Sequence, residues 1–401
     1  MMDYPIRLEN QIQDYAWGSK TAIQGLIGVD SNGTPWAELW MGAHPKAPSS
    51  AIVNDEKIPL DVLIRRYPEW ILGREAAGKF NSTLPFLFKV LAAAQPLSIQ
   101  AHPDRHKAEA GFHRENLLDI PINAPHRNYR DPWPKPEIIC AVEPFVALTG
   151  FRPASSIIQW FDAFCPEMLS EQIRILKKNP DQHGIKRVFS SLVRMPSDEK
   201  KAIIAAASEN AKKIDAMESK WVLRLMHFYP DDIGVLSPLF LNLIQLEPAT
   251  AMVLPPGQMH AYLEGVGIEL MANSDNVLRG GLTGKHMDIE ELMDVVQFEP
   301  SPVEILRPVA ISTCESHYPA DADEFVLSVI HAKMDVECRS REHHGLEILL
   351  CMEGAGSIVW GGKDHRLALE KGSSVLIPAS MGAYKIRGNG MFFKAAIPGK
   401  K

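Results

Sequence analysis

HAYLEGVGIELMANSDNVLRGGLTGK fills residues 260–285. Its glycines punctuate a run that holds His260, Glu269, Asp275, Arg279 and Lys285, all side chains able to do chemistry. Glu264-Gly265-Val266-Gly267 reads as a turn between two apolar-rich strands. On that register Leu263 pairs with Ile268, and Tyr262 with Glu269. Side chains along a strand alternate, and directly opposed residues share a face. His260, Tyr262, Glu269 and Met271 therefore project to one side. Such a group makes a poor core and a good floor for a polar cavity. The stretch predicts a β protein whose site is built on a hairpin, and a one-residue slip would scatter the group.

Upstream, PFLFKVLAAAQPLSIQAH (Pro85 to His102) reads as two strands joined near Gln95-Pro96. Lys135-Pro136-Glu137 leads into a further strand, IICAVEPFVALTGF. From about Ala154 to Tyr229 the texture changes. Amphipathic stretches such as SSIIQWFDAFCPEMLSEQIRILKK and DEKKAIIAAASENAKKIDAMESKWVLRLMHFY carry apolar residues at spacings of three and four. Pro196-Ser197-Asp198-Glu199 supplies a helix start. This segment is a helical insertion, and its charges form a solvated face. Strand texture returns at Leu239. Leu246–Gly265 then resembles Leu369–Gly388, with one residue skipped. Each copy has Leu-Glu, an apolar strand, a proline, Ala-Tyr and a glycine, which suggests two copies of one β-barrel or jelly-roll unit. The second copy has Gly382 in place of His260, so chemistry belongs to the first.

The chain has 401 residues, 46% of them hydrophobic, enough for two or three packed units. A net charge of −7 gives no broad basic field for nucleic acid. No apolar run reaches membrane-spanning length; the longest, Leu84 to Ala94, is interrupted by Lys89. MMDYPIRLEN has no signal-peptide core. The five cysteines form no CxxC pair and read as free thiols in a reducing cytoplasm.

Ser98, Gln100 and His102 recur at spacings of two, on one strand face. Lys135 and Glu137 flank Pro136, which holds Lys135 extended, so these two side chains also share a face. Gln100, His102, Glu137 and His260 together offer two imidazoles, a carboxylate and an amide oxygen. That set suits Zn²⁺ with room for water or substrate, while Mn²⁺ and Fe²⁺ stay open on donor chemistry. His106, His113, His126 and His343-His344 read as surface or loop residues. Arg279 and Lys285 bracket Gly280, Gly281 and Gly284 and could meet a phosphate, although the P-loop order is absent.

These motifs resemble the type I phosphomannose isomerase family. The resemblance runs from QDYAWGSKTAI through AELWMGAHPK, LPFLFKVLAAAQPLSIQAHP and YRDPWPKPE to the 260–285 stretch. It implies a fold that is mainly β with a helical insertion, built of cupin-like jelly-roll or β-barrel units. The division would be 1–152 with 233–300 as the catalytic unit, 153–232 as the insertion, and 301–401 as a second unit without a metal site. It implies one Zn²⁺ per chain on Gln100, His102, Glu137 and His260, with Arg279 as an active-site arginine. Lys285, Ser98 and Lys135 fall where relatives meet phosphate or sugar, and Trp17 and Glu38 where they line the pocket. Two departures stand out. The family's Asn-His-Lys-Pro-Glu is here Trp133-Pro134-Lys135-Pro136-Glu137, which removes a histidine assigned to ring opening or proton transfer. The family's Arg-Ala-Gly-x-Thr-Pro-Lys is here Arg279 to Lys285 with Gly284 for proline, which implies a looser loop.

The implied reaction interconverts mannose 6-phosphate and fructose 6-phosphate in a cytoplasmic monomer. A base moves a proton between C2 and C1 through an enediol, and a metal-assisted hydride shift is the alternative. Glu269, beside Tyr262 and His260, is the first candidate base, with Lys135 and Asp275 behind it. Arg279 does not give up its proton readily and stabilises charge. The rivals are a metal-dependent dioxygenase on a similar barrel and a sugar-binding protein without catalysis.

Overall fold

The computed structural model describes residues 3–362 and 365–399. Two antiparallel sheets, one of ten strands and one of eleven, carry the chain, and helices gather between residues 154 and 240. The expected mainly-β architecture with a helical insertion and jelly-roll units is what the chain adopts.

The predicted hairpin is not there. His260–Ala272 is one unbroken strand of 13 residues. Its first half pairs with Phe145–Phe151, and its second half lies between Phe86–Ala93 and Glu137–Ala141. Gly265 is a bend within it, not a turn. At φ +127° only glycine is comfortable, and a Cβ would lie 2.7 Å from the Pro144 carbonyl oxygen. Glu264, expected in the loop, sits in the strand and takes a two-pronged ion pair from Arg224 of the insertion, at 2.5 and 3.0 Å. Just before it the register slips: Tyr262 lies opposite Ala147 and Glu264 opposite Val146. Leu263 is therefore one extra residue, a β-bulge.

The bulge keeps what the hairpin was invoked to explain. Without it Tyr262 and Glu269, on even and odd positions, would face opposite sides. With it both line the same pocket as Met271.

Phe86–Ala93 and Ile99–Ala101 are the two strands expected between Pro85 and His102. The stretch after Glu137 is two strands, Glu137–Ala141 and Phe145–Phe151, broken at Pro144. In the insertion, Pro166 cuts the first amphipathic stretch into Ala154–Phe164 and Ser170–Lys178; the residue before proline disfavours helix, and Cys165 has left the helical region at φ −148°, ψ 57°. The second stretch yields Ser197–Ala211 and Met217–Phe228, the first starting at the predicted position. Phe161, Leu225 and Leu236 pack there in one core, which also takes in Leu278 and Leu282 from the 260–285 stretch.

The repeat maps onto matching strands. Ala251–Leu254 followed by His260–Ala272 corresponds to Ser374–Ile377 followed by Tyr384–Ala396, and Gly388 repeats the Gly265 bend at φ +140°. The two sheets are interlocked. Ile6–Glu9 pairs with Ser374–Ile377, and Ser50–Val53 extends the same sheet. One apolar core runs through both, with Phe88 and Ile268 packed in it alongside Phe325 and Ile348.

Not all cysteines are free. Cys314 and Cys338 are bonded, because the fold brings their Cα atoms to 5.7 Å, while Cys140, Cys165 and Cys351 are buried thiols. No helix among the described residues is long and apolar enough to cross a membrane.

Candidate active site

His102 follows the strand Ile99–Ala101, Glu137 opens Glu137–Ala141, and His260 opens the long strand. All three are buried, and one ligand atom from each lies within 4.8 Å of the others. The two Nε2 atoms sit 3.4 and 3.3 Å from the Glu137 carboxylate oxygens. Neither Nε2, nor Glu137 Oε2, makes a hydrogen bond among the described residues. The other ring nitrogens are engaged: His102 Nδ1 lies 2.7 Å from the Asn276 carbonyl and His260 Nδ1 3.0 Å from that of Gln258. A proton on each Nδ1 donates to its carbonyl and leaves the Nε2 lone pair facing inward. Burial and the Lys135 charge push the His102 imidazole down to about 4, so it is neutral. Burial alone would raise the Glu137 carboxyl, but the Lys135 charge, at 3.1 Å, holds it well below the usual carboxylate range. Three unpaired polar atoms in a dry site are costly unless something satisfies them. A divalent cation does so. Gln100 is the register partner of both His260 and Arg279 and lines the same pocket. The donors therefore fit a zinc ion with one open position.

In front of these donors is a pocket of about 390 Å³. Trp17, Glu38, Ser98, Lys135, Tyr262, Glu269, Asp275, Arg279 and Lys285 all line it. Glu269 is buried, with Lys89 Nζ at 2.8 Å and Glu38 on the far side of that lysine at 3.5 Å. Burial raises the Glu269 carboxyl, and the Glu137 and Glu38 charges add to this against the pull of Lys89. Tyr262 is held protonated by burial and by the Glu269 and Glu137 charges. Asp275 behaves in the opposite way. Its burial is outweighed by His44 and by Lys46, 2.9 Å away, and its carboxyl sits below the usual range.

Arg279 and Lys285 have no acidic partner among the described residues. Burial lowers both; Arg130 adds to this at Arg279, and Arg279, Arg130 and Lys46 add to it at Lys285. Cations that repel one another in a pocket await an anion.

Several lining residues escaped sequence reading. Lys89 left a signal, a charge at the centre of an otherwise apolar strand. His44 and Lys46 lie in the family motif AELWMGAHPK but were assigned no role, and Tyr229 left no signal. Asn276 is buried, accepts from the Arg130 backbone and donates to the Asp131 and Trp133 carbonyls, clasping that loop to the site. Pro134 does not line the pocket; with Trp133 and Pro85 it lines a separate cavity of about 40 Å³. The loop after Arg279 is also not loose throughout. Leu282 is 1% exposed and Thr283 is hydrogen-bonded to Asp232.

The second unit holds a larger cleft of about 860 Å³, bordered by Gly382 and Tyr384, which the repeat equates with His260 and Tyr262. The grouping of His102, Glu137 and His260 has no counterpart there among the described residues.

Fold and site together define a cupin protein with one metal-type centre beside a cationic pocket. Residues 6–154 match the catalytic domain of type I phosphomannose isomerases, 166–241 their helical insertion domain, and 315–396 the mannose-6-phosphate isomerase cupin domain. The chain is similar to the mannose-6-phosphate isomerases of Salmonella typhimurium, 40% identical over 96% of this chain and 97% of the relative, and of Escherichia coli, 39% over 96% and 97%. The Salmonella enzyme, solved with fructose 6-phosphate and zinc, superposes with a TM-score of 0.91 at 38% identity, covering 98% of this chain and 99% of that one. The chain belongs to the type I phosphomannose isomerase family.

Proposed function

We propose that this chain is a zinc-dependent aldose–ketose isomerase that interconverts mannose 6-phosphate and fructose 6-phosphate through an enediol. One observation carries the reading: unpaired buried donors of His102, Glu137 and His260 lie behind a pocket that also holds the unpaired cations Arg279 and Lys285. A metal-dependent dioxygenase has no use for the second feature.

His102, Glu137, His260 and Gln100 would hold the ion, which when bound supplies Lewis-acid polarisation of substrate oxygens. Lys285 and Arg279 receive the phosphate and fix the sugar's direction in the pocket. Asp275, kept ionised, accepts hydrogen bonds from sugar hydroxyls. Glu269 removes the proton from C2 of the open-chain aldose as O1 gains a proton, giving the enediol, and returns it to C1 as O2 loses its hydroxyl proton, leaving the C2 ketone. Burial brings its carboxyl toward working pH, as a general base requires, and Lys89 steadies its charged form. Burial raises the Glu269 carboxyl, whereas His44 and Lys46 hold that of Asp275 below the usual range, which favours Glu269 over Asp275. Tyr262 and Trp17 wall the pocket, and Ser98 and Glu38 offer polar contacts to the sugar.

A coupled assay for fructose 6-phosphate with added zinc tests the activity. Turnover of mannose 6-phosphate that chelation abolishes and zinc restores is the expected result. No turnover, or oxygen consumption, would overturn it. Solvent deuterium entering C1 or C2 during turnover separates the enediol route from a hydride shift, which takes up no label.

A further inference from the structure

We propose that Asp232 is a positioning residue for phosphate capture, through which the helical insertion presents Lys285 to the substrate. The proposal rests on the reading that Lys285 meets the phosphate.

Asp232 stands where the insertion returns to the β-sheet, at the start of the short turn Ile233–Leu236. Its Oδ1 accepts from the Gly234 backbone at 2.7 Å, which fixes the carboxylate. Its Oδ2 reaches across and accepts from the Thr283 backbone at 3.1 Å. Thr283 Oγ1 in turn accepts from the Lys285 backbone at 3.1 Å. The contact is close: a Cβ on Gly234 would fall 3.0 Å from the Leu282 nitrogen and 3.2 Å from Gly281 Cα. Leu282 takes a left-handed φ of +53° and buries its side chain in the insertion's own core. A leucine pays a conformational cost there that its burial and the Asp232 bond offset. The loop is thus latched up to Thr283, and only beyond it, at Gly284, does open space begin. Tyr229, just upstream, lines the pocket and donates to the Pro96 carbonyl at 2.8 Å, fastening the same corner from the other side. The insertion therefore has a role the barrel cannot fill, as the rigid back of the phosphate end.

The test uses the zinc-loaded enzyme with mannose 6-phosphate, and inorganic phosphate as competitive inhibitor, in Asp232→Ala, Lys285→Ala and the double variant. Losing one latch hydrogen bond should raise both KM and the phosphate inhibition constant about fivefold in Asp232→Ala, with kcat within about twofold. Zinc content should not change. The double variant should be no worse than Lys285→Ala alone, because the latch acts through that lysine. Factors that multiply in the double variant, or a fall in kcat at unchanged KM, would overturn the proposal. If Lys285→Ala itself moved neither constant, the phosphate reading beneath it would be the part that failed. Should Asp232→Ala not fold, Asp232→Asn keeps one acceptor oxygen; it should show a smaller rise in the same two constants, and no rise would overturn the latch.

Discussion

Tyr262 and Glu269 stand on one unbroken strand, at positions that plain alternation would send to opposite faces, yet both line one pocket. The extra residue Leu263 makes the difference, and Gly265 lets the strand bend just beyond it. The geometry of the site therefore depends on a bulge.

Gly265→Val should destabilise the protein by about 1–3 kcal/mol, since it forces a branched residue to φ +127° against the Pro144 carbonyl and Phe145. Gly284→Ala, which points into open space, should stay within about 0.5 kcal/mol. Chemical denaturation of the two variants checks the contrast; equal effects would mean that the bend is not under constraint.

Glu269→Gln should lower kcat by about 10²- to 10⁴-fold with zinc content unchanged, as expected for a general base that is not a ligand. A loss below about tenfold, measured by steady-state kinetics alongside metal analysis, would move the proton transfer to Lys135 or Asp275.

Lys285→Ala should raise KM for mannose 6-phosphate by about tenfold or more, while turnover of unphosphorylated mannose changes little. Arg279→Ala should lower kcat as well, because Arg279 is the register partner of Gln100 and so lies next to the metal-type donors. An equal loss on both sugars in Lys285→Ala would show that this lysine does not read phosphate.

The second sheet carries its own buried charge cluster, and its pH dependence has a definite sign. Lys394 lies 3.0 Å from Glu347 and 2.8 Å from Glu315, and the Tyr384 hydroxyl donates to Glu347 at 2.6 Å. Burial alone would raise the Glu347 carboxyl; Lys394, His344 and the Tyr384 hydroxyl together outweigh it and lower it below its ordinary 4.5. A depressed carboxylate adds stability above its unfolded value and loses it as pH falls through the folded one. Glu347→Gln should cost about 1–3 kcal/mol at pH 7. The gap to wild type should close as pH drops below 4.5. Denaturation midpoints across that range check it, and a constant gap would contradict the assignment.

Much of this was legible in the sequence, for physical reasons. Alternation and glycine–proline punctuation mark Phe86–Ala93 and Ile99–Ala101. A proline with Ser-Asp-Glu marks the helix at Ser197. Gln100, His102, Glu137 and His260 offer a metal donor set on residue type and spacing alone. The hairpin was misread because glycine's positive φ serves a bend within a strand as well as a turn, and local pattern does not separate them. Pairings across sequence distance were out of reach: Cys314 with Cys338, Ile6–Glu9 with the far sheet, and Asp232 with Thr283. The Lys89 charge was visible but was read only as an interruption of an apolar run.

The metal content of His260→Ala tests the central claim most directly. His260 is the ligand that the long strand supplies, and its Nε2 has no hydrogen-bond partner among the described residues. Purified wild type should carry about one zinc per chain, and the variant should lose most of it while its circular dichroism stays that of a folded protein. Full zinc occupancy in folded His260→Ala would contradict the four-ligand site and the mechanism built on it.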